Sequence, residues 1–443
     1  MMHVVERLAS WAVQFRAQPL APEVLHHAKR AVIDLHAAMI SGAVLAPAIL
    51  LEKALAEELD RGEARLVLGR KATLRAAALI NGAAAHTTEV DDIYREGMVH
   101  PGAPTIPAAL ALAQARGASG EQFLRAVVVG YESSTRIGAA MGRAHYRYWH
   151  NTGTIGCFGA CAAAAELLGL DAVRFAHALA TVTTFSAGLQ QSFRMDSMSK
   201  PLHAGRAAEA GLTAALAARE GVTGSLDVIE GEAGYGKAMS DSPDWDKALA
   251  TLGHEFHITR MTFKNHTCCG HTFAAIDGAL ALQAKMGLAA NDIQRVRVGT
   301  YKAALDVAGY DEPRTAAEGR FSLKYVVATA LTHGSVRFSA FEPERLGNPA
   351  TRDLMRRVEV AVDPQLDAVF PAQRAARVAI ESRDGRREEF LQPTRIGDPD
   401  APLSDAQLDA KYLELAGPVL GEAKAKQLLG RLWRLEALES LGS

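Results

Sequence analysis

Residues 156–169 read GCFGACAAAAELLG, and residues 204–221 read AGRAAEAGLTAALAAREG. Both carry small side chains along most of their length. Small residues let helix axes approach closely, so these segments are expected as tightly packed, largely buried helices. Helical periodicity extends outward from them through residues 1–255. Pro22 occupies a first helical position ahead of EVLHHAKRAVIDLHAAMISG, which stops at Gly42. Ser119 with Gln122 reads as a capping box before FLRAVVVGYESSTRIG.

The pattern changes near residue 255. EFHITRMTF (255–263) reads as a strand, DIQRVRVGTY (292–301) alternates with Val296 and Val298 on one face, and VEVAVD (358–363) is a further strand. ARVAIESRDGRREEFLQ (376–392) reads as a hairpin turning on Asp384-Gly385. Helical patterns at 271–287 and 321–334 lie between these strands. After Pro393 and DPDAP the helical pattern returns, with Ser404 and Gln407 as another capping box. The fold class is therefore mainly α. It comprises a large all-helical domain, residues 1–255 completed by helices in 396–443, and a smaller α+β domain, residues 256–395.

Composition narrows the function. The chain has 443 residues, 49% hydrophobic and 22% charged, enough for a sizeable core and too few charges for disorder. Lys plus Arg number 48 against 50 Asp plus Glu, so no global field attracts nucleic acid or an acidic membrane. Four cysteines, at 157, 161, 268 and 269, are too few for a disulfide scaffold of this size and fit reduced thiols. Glu6 and Arg7 interrupt the apolar core that a signal peptide needs, and no segment has the roughly 18 apolar residues of a membrane span. A soluble cytoplasmic protein is expected.

Five stretches carry candidate chemistry. KNHTCCGHTF (264–273) crowds Lys264, His266, Cys268, Cys269 and His271 together. Zinc binding, a nucleophilic cysteine and simple loop packing are all readings of it. A fourth reading is a carboxylate cradle, made by the lysine, the histidines and the backbone N–H groups of a helix starting near Gly270. EVDDIYREGMVHPG (89–102) clusters Glu89, Asp91 and Asp92 ahead of His100. Carboxylates there can fix an imidazole's tautomer and raise its basicity; divalent-metal binding and helix termination are the alternatives. His150 precedes Gly153, Gly156 and Gly159, which follow no strand and so read as helix packing rather than a dinucleotide loop. KPLHAGRAA (200–208) places Lys200 and His203 at a helix start, a second cationic anion trap. In EGRFSLKY (318–325), Arg320 and Tyr325 flank another helix start; Tyr325 is either a tuned acid or base, or a packed ring bonded to backbone.

Taken together and in this order, VDD…HPG, KPLHAGRAA, the Lys264–Cys268-Cys269-Gly270 loop and FSLKY resemble the MmgE/PrpD family over almost the whole chain. That family includes 2-methylcitrate dehydratase, cis-aconitate decarboxylase and iminodisuccinate epimerase. The resemblance implies a large helical domain completed by the C-terminal tail, a smaller α+β domain, an active site in the cleft between them, a homodimer, and no metal or other cofactor. It maps active-site positions onto Asp91-Asp92, His100, His150, Lys200, the 264–271 loop and Tyr325. Departures from the pattern are Ile93, where the decarboxylase branch has a Thr after the paired acids, and Asn265-His266-Thr267 after Lys264, where relatives have Pro-Tyr-Pro. Phe273 stands where relatives carry a His. The chain is also short for a 2-methylcitrate dehydratase.

The implied chemistry is proton abstraction next to a carboxylate of a small polycarboxylate. Lys200, His203, Lys264, Arg320 and the loop residues His266, Cys269 and His271 would bind the substrate. His100 or His150 would be the base, Asp91 or Asp92 would orient it, and Tyr325 or a second His would supply a proton. Dehydration of a citrate-like hydroxy acid is the first expectation, epimerisation of an iminodisuccinate-type diacid the second. Decarboxylation of the cis-aconitate type, a non-catalytic carboxylate-binding protein and a metal hydrolase built on 266–271 follow.

Overall fold

The computed structural model of the chain describes residues 2–193 and 197–442. It forms two compact units, residues 1–262 with 404–443, and residues 263–403.

The first unit is mainly helical. Its principal helices are α1 (Pro22–Ala43), α2 (Leu74–Thr87), α3 (Gly102–Arg116), α4 (Gly120–Tyr146), α5 (Gly156–Leu167) and α6 (Ser199–Arg219). Pro22 starts α1, and Ser119 and Gln122 form the expected capping box on α4. The small-residue segments become α5 and α6, and two glycines show why small residues are needed. A Cβ on Gly205 would lie 2.2 Å from the Leu79 carbonyl oxygen in α2; one on Gly211 would lie 2.4 Å from the Cys161 amide nitrogen in α5. Helix α6 therefore runs against the backbone of both neighbours, a separation that larger side chains would prevent. A short antiparallel hairpin, β1 (Leu59–Arg65) with β2 (Lys71–Ala72), is added to the helices.

EFHITRMTF is not a strand. His257–Arg260 form a 3-10 turn, and pairing is limited to one bridge between Ile93 and Thr262. The apolar alternation there serves the helical unit instead. Ile258 N donates to the buried Glu132 Oε1 of α4 at 3.2 Å, and His257 Nδ1 lies 3.1 Å from Thr135 Oγ1. Those bonds carry the unit boundary to residue 262.

The second unit holds a four-stranded sheet. Its strands are β3 (Ile293–Thr300), β4 (Val358–Val362), β5 (Ala376–Ser382) and β6 (Arg387–Gln392), in the order β4-β3-β5-β6. β3 pairs parallel with β4 and antiparallel with β5; β5 and β6 form the hairpin, with Gly385 at φ 89° in its turn. Val296, Val298, Val378 and Ile380 point into a core shared with helices α7 (Phe273–Met286) and α8 (Leu323–His333). The chain then returns to the first unit as α9 (Asp405–Leu420), capped by Ser404 and Gln407. Helix α9 packs on α1, and the buried Lys411 Nζ meets Asp34 Oδ1 at 2.6 Å. Among the described residues no single helix is long and apolar enough to cross a membrane.

Candidate active site

The site in the helical unit is organised by the end of α2 and the five residues after it. Thr73 caps α2 by accepting from Ala76 N, so the helix is fixed at its start and delivers His86 in its last turn. His86 Nδ1 lies 2.7 Å from Asp91 Oδ2, and neither side chain reaches solvent. His100 Nδ1 approaches the same oxygen at 3.2 Å. One carboxylate oxygen thus lies beside two imidazoles; it is hydrogen-bonded to His86, where it favours the tautomer with the proton on Nδ1, and stands at ion-pair distance from His100. The His86 ring meets His100 edge-on at 4.9 Å and stacks on His150 at 5.3 Å.

His150 immediately precedes the short Asn151–Thr154 helix, and its Nδ1 lies 3.0 Å from His203 Nδ1 in the first turns of α6. A hydrogen bond between two ring nitrogens needs a proton on one and a lone pair on the other. Burial drives the His150 pKa well below the ordinary imidazole value, with neighbouring His86 and the Lys200 ammonium contributing. Burial also lowers His203, helped by His86 and Lys200. Both rings are therefore neutral near pH 7.

Lys200, also in α6, pairs with Glu89. Burial works against its charge, but the Glu89 carboxylate more than compensates and its pKa is raised. Glu89 itself has φ 59°, a left-handed backbone that non-glycine residues rarely adopt. Asp92 faces away from the imidazoles. It accepts from Tyr131 O–H at 2.7 Å and from Gly102 N at 3.2 Å, at the start of α3. Burial raises its pKa well above the carboxylate range, with the Asp34 charge contributing. A Cβ on Gly102 would stand 2.6 Å from Tyr131 Oη and 2.7 Å from Asp92 Oδ1, so the glycine of HPG makes room for this contact. Of the paired acids, Asp91 lies against the imidazoles and Asp92 bonds the start of α3.

The structure brings Asp91, His100, His150, Lys200 and His203 together, with Asp92 behind them. Sequence reading missed His86, which sits five residues before Asp91 at a helix end, and Tyr131, for which the sequence offers no signal. His86, Asp91 and His100 are also a grouping able to hold a metal, their donor atoms lying within 4.8 Å of one another. They would offer two imidazoles and one carboxylate.

In the second unit the 264–273 loop does not gather its donors on one point. His266 Nε2 bonds Asp277 Oδ1 at 2.8 Å with both side chains buried, and His271 Nδ1 lies 2.9 Å from Tyr301 Oη. Cys268 Sγ lies 3.2 Å from Thr272 Oγ1. Burial raises both thiol pKa values, so neither is a thiolate poised for nucleophilic attack. Helix α7 begins at Phe273, three residues later than the cradle reading requires. His271 is pushed down to about 4 by burial and by the charges of Arg374 and Arg395, so it meets an anion as a neutral ring beside guanidinium groups. Cys269 N donates to the Arg320 carbonyl at 2.9 Å, while the Arg320 guanidinium lies over the Phe341 ring.

Tyr325 lies in the core of the second unit. It is fully buried, its hydroxyl donates to the Ala340 carbonyl, and the Arg352 guanidinium lies over its ring. Its O–H completes the core between α8 and residues 338–341, which is the packing reading of FSLKY. His266, held by Asp277, is likewise a buried tie within its unit.

Residues 6–248 match the MmgE/PrpD N-terminal domain and residues 266–435 the MmgE/PrpD C-terminal domain. The chain is 26% identical to the cis-aconitate decarboxylase-like protein oryM of Aspergillus oryzae, over 98% of this chain and 95% of the relative. It is 26% identical to the cis-aconitate decarboxylase of Aspergillus terreus, over 99% of this chain and 94% of the relative. Human cis-aconitate decarboxylase is 27% identical over 82% of this chain and 77% of its own length. With both domain models of one family matched in order over most of its length, the chain belongs to the MmgE/PrpD family.

Proposed function

We propose that this chain is a lyase that dehydrates a citrate-like hydroxy polycarboxylate, using its own side chains for the proton transfers. The observation that carries the reading is the Asp91–His100 pair beside two neutral imidazoles and a lysine ammonium. A C–H next to a carboxylate is very weakly acidic, so removing its proton needs a positioned base and a cation for the charge that develops. With Nδ1 facing Asp91, His100 takes the proton at Nε2, and the ionised Asp91 stabilises the imidazolium that forms. Lys200 exchanges Glu89 for a substrate carboxylate and stabilises the enediolate-like charge on it. The bond from the neighbouring carbon to its hydroxyl then breaks. The hydroxyl leaves as water with the proton that His100 accepted, which returns the base to its starting state. The products are an unsaturated polycarboxylate and water.

Decarboxylation is the second reading, favoured by the names of the relatives that match nearly the full chain. It would begin from the same cation-held carboxylate. Ile93 weighs against it: an aliphatic side chain, bridged to Thr262, follows the acids where the decarboxylase branch carries a hydroxyl.

The test is proton NMR in D₂O with chelator-treated protein and citrate, 2-methylcitrate, cis-aconitate and freshly prepared iminodisuccinate. An olefinic signal arising from a hydroxy acid supports the dehydratase. A new methylene group with loss of one carboxylate from cis-aconitate selects the decarboxylase. Deuterium entering a C–H without elimination selects an epimerase. No change in any of the four overturns the proposal.

A further inference from the structure

We propose that Lys411, in helix α9, is a positioning residue for the 88–92 segment: its ammonium binds the Val90 carbonyl and so holds Glu89 and Asp91 at their separate partners. The inference rests on the reading of that segment as catalytic. Lys411 is more than 300 residues away in sequence, yet its Nζ lies 2.7 Å from Val90 O and 2.6 Å from Asp34 Oδ1. The Lys411 and Asp34 side chains are 2% and 0% exposed.

A buried ion pair is a poor source of stability, because desolvating both charges offsets most of their attraction, and apolar residues of similar volume would serve the core as well. What this pair does beyond stability is set by the third atom it holds. Val90 separates two residues with opposite duties. On one side Glu89, in its left-handed conformation, reaches Lys200; on the other Asp91 reaches His86 and His100. A non-glycine residue at φ 59° persists only where its surroundings fix it. The side-chain bonds of Glu89, Asp91 and Asp92 anchor the flanks, and the Lys411–Val90 bond anchors the backbone between them. Loosening that carbonyl lets the Val90–Asp91 peptide rotate and re-aims the Asp91 carboxylate. Lys411 also places a positive charge against Asp34, one of three carboxylates gathered here with Asp91 and Asp92.

The experiment compares wild type with Lys411→Met, which keeps length but loses the donor, and with the double variant Asp34→Asn/Lys411→Met, which also removes the Asp34 negative charge. Three quantities are read: melting temperature, the split of kcat from KM on whichever polycarboxylate the wild type turns over, and the downfield N–H proton of the His86–Asp91 hydrogen bond. The double variant is expected to melt near wild type and still lose about 100-fold in kcat, the scale of a small misplacement of a catalytic group. KM should stay within about threefold, because substrate binding is not the function removed. The downfield resonance should shift or broaden in both variants. A double variant with wild-type kcat and an unmoved resonance overturns the proposal, and it decides the matter even if Lys411→Met alone does not fold. If wild type turns over no polycarboxylate, the lyase reading fails by itself; the resonance then decides, and an unmoved signal in the double variant overturns the positioning role.

Discussion

His86 and Asp91 form a hydrogen-bonded pair closed to solvent, 2.7 Å between Nδ1 and Oδ2, and the same carboxylate oxygen faces His100. The outer imidazole is therefore aimed by a group that is itself aimed by an inner one. His86→Gln should lower kcat by about 100-fold, because Asp91 then turns away from His100. KM should change little, since His86 is closed to solvent and to substrate. Initial rates over a range of substrate concentrations give both constants. A variant with wild-type kcat would remove His86 from the mechanism.

Lys200 makes a different prediction, because it meets substrate. Its ammonium is held by Glu89 in a partly buried position, so Lys200→Ala removes the cation and leaves Glu89 beside an incoming carboxylate. Turnover per unit KM should fall by at least about 100-fold, with both constants affected. His100→Ala should abolish most of kcat with a smaller change in KM. Near-wild-type melting temperatures in both variants would show that the fold survives. Normal turnover in either would exclude that residue.

Acid should destabilise this protein from the imidazoles inward. Burial holds His145 and His271 at about 4 and His257 at about 3, the last helped by Arg136 and Arg260. His150 and His203 are lowered as well. In each case the unfolded chain binds a proton near pH 6.5 that the folded chain refuses, so unfolding takes up protons. Stability is then full above pH 6.5 and falls steadily toward pH 4. Urea midpoints at pH 7.5, 6 and 5 should decrease in that order, and a flat series would contradict it.

Much of this was legible in the sequence, for identifiable reasons. Helix α5 and helix α6 announced themselves because backbone contact demands small residues over several turns, a constraint written at every position. The β5–β6 hairpin was legible because its turn needs a positive φ and Gly385 supplies it. EFHITRMTF misled because alternation records which residues are buried, not what buries them; here α4 does, through Glu132 and Thr135. Within the site, residues on motifs were found and their partners were not. His86 and Tyr131 reach Asp91 and Asp92 through the packing of α2 and α4, and Lys411 reaches Val90 from the far end of the chain. The Tyr131 and Lys411 pairings depend on helix placement, and no local spacing encodes them, whereas His86 stands only five residues from Asp91. The loop at 264–273 shows the converse. Proximity in sequence suggested one cluster, but the chain turns His266 to Asp277 and His271 to Tyr301.

Tyr325 separates resemblance from geometry most sharply. Its family position suggests an acid or base; its surroundings make it a core residue with a satisfied hydroxyl. Tyr325→Phe keeps the ring against Phe341 and under Arg352, and removes the O–H that meets the Ala340 carbonyl. Leaving one buried carbonyl without its donor should cost about 1–2 kcal/mol of stability. Turnover at a temperature where the variant is fully folded should stay within about twofold of wild type, since no reacting group is lost. Urea unfolding and initial rates on the same preparation test both halves. A stable Tyr325→Phe protein with turnover reduced 100-fold or more would restore the hydroxyl to the chemistry. It would also require Tyr325 to leave Ala340 during the reaction.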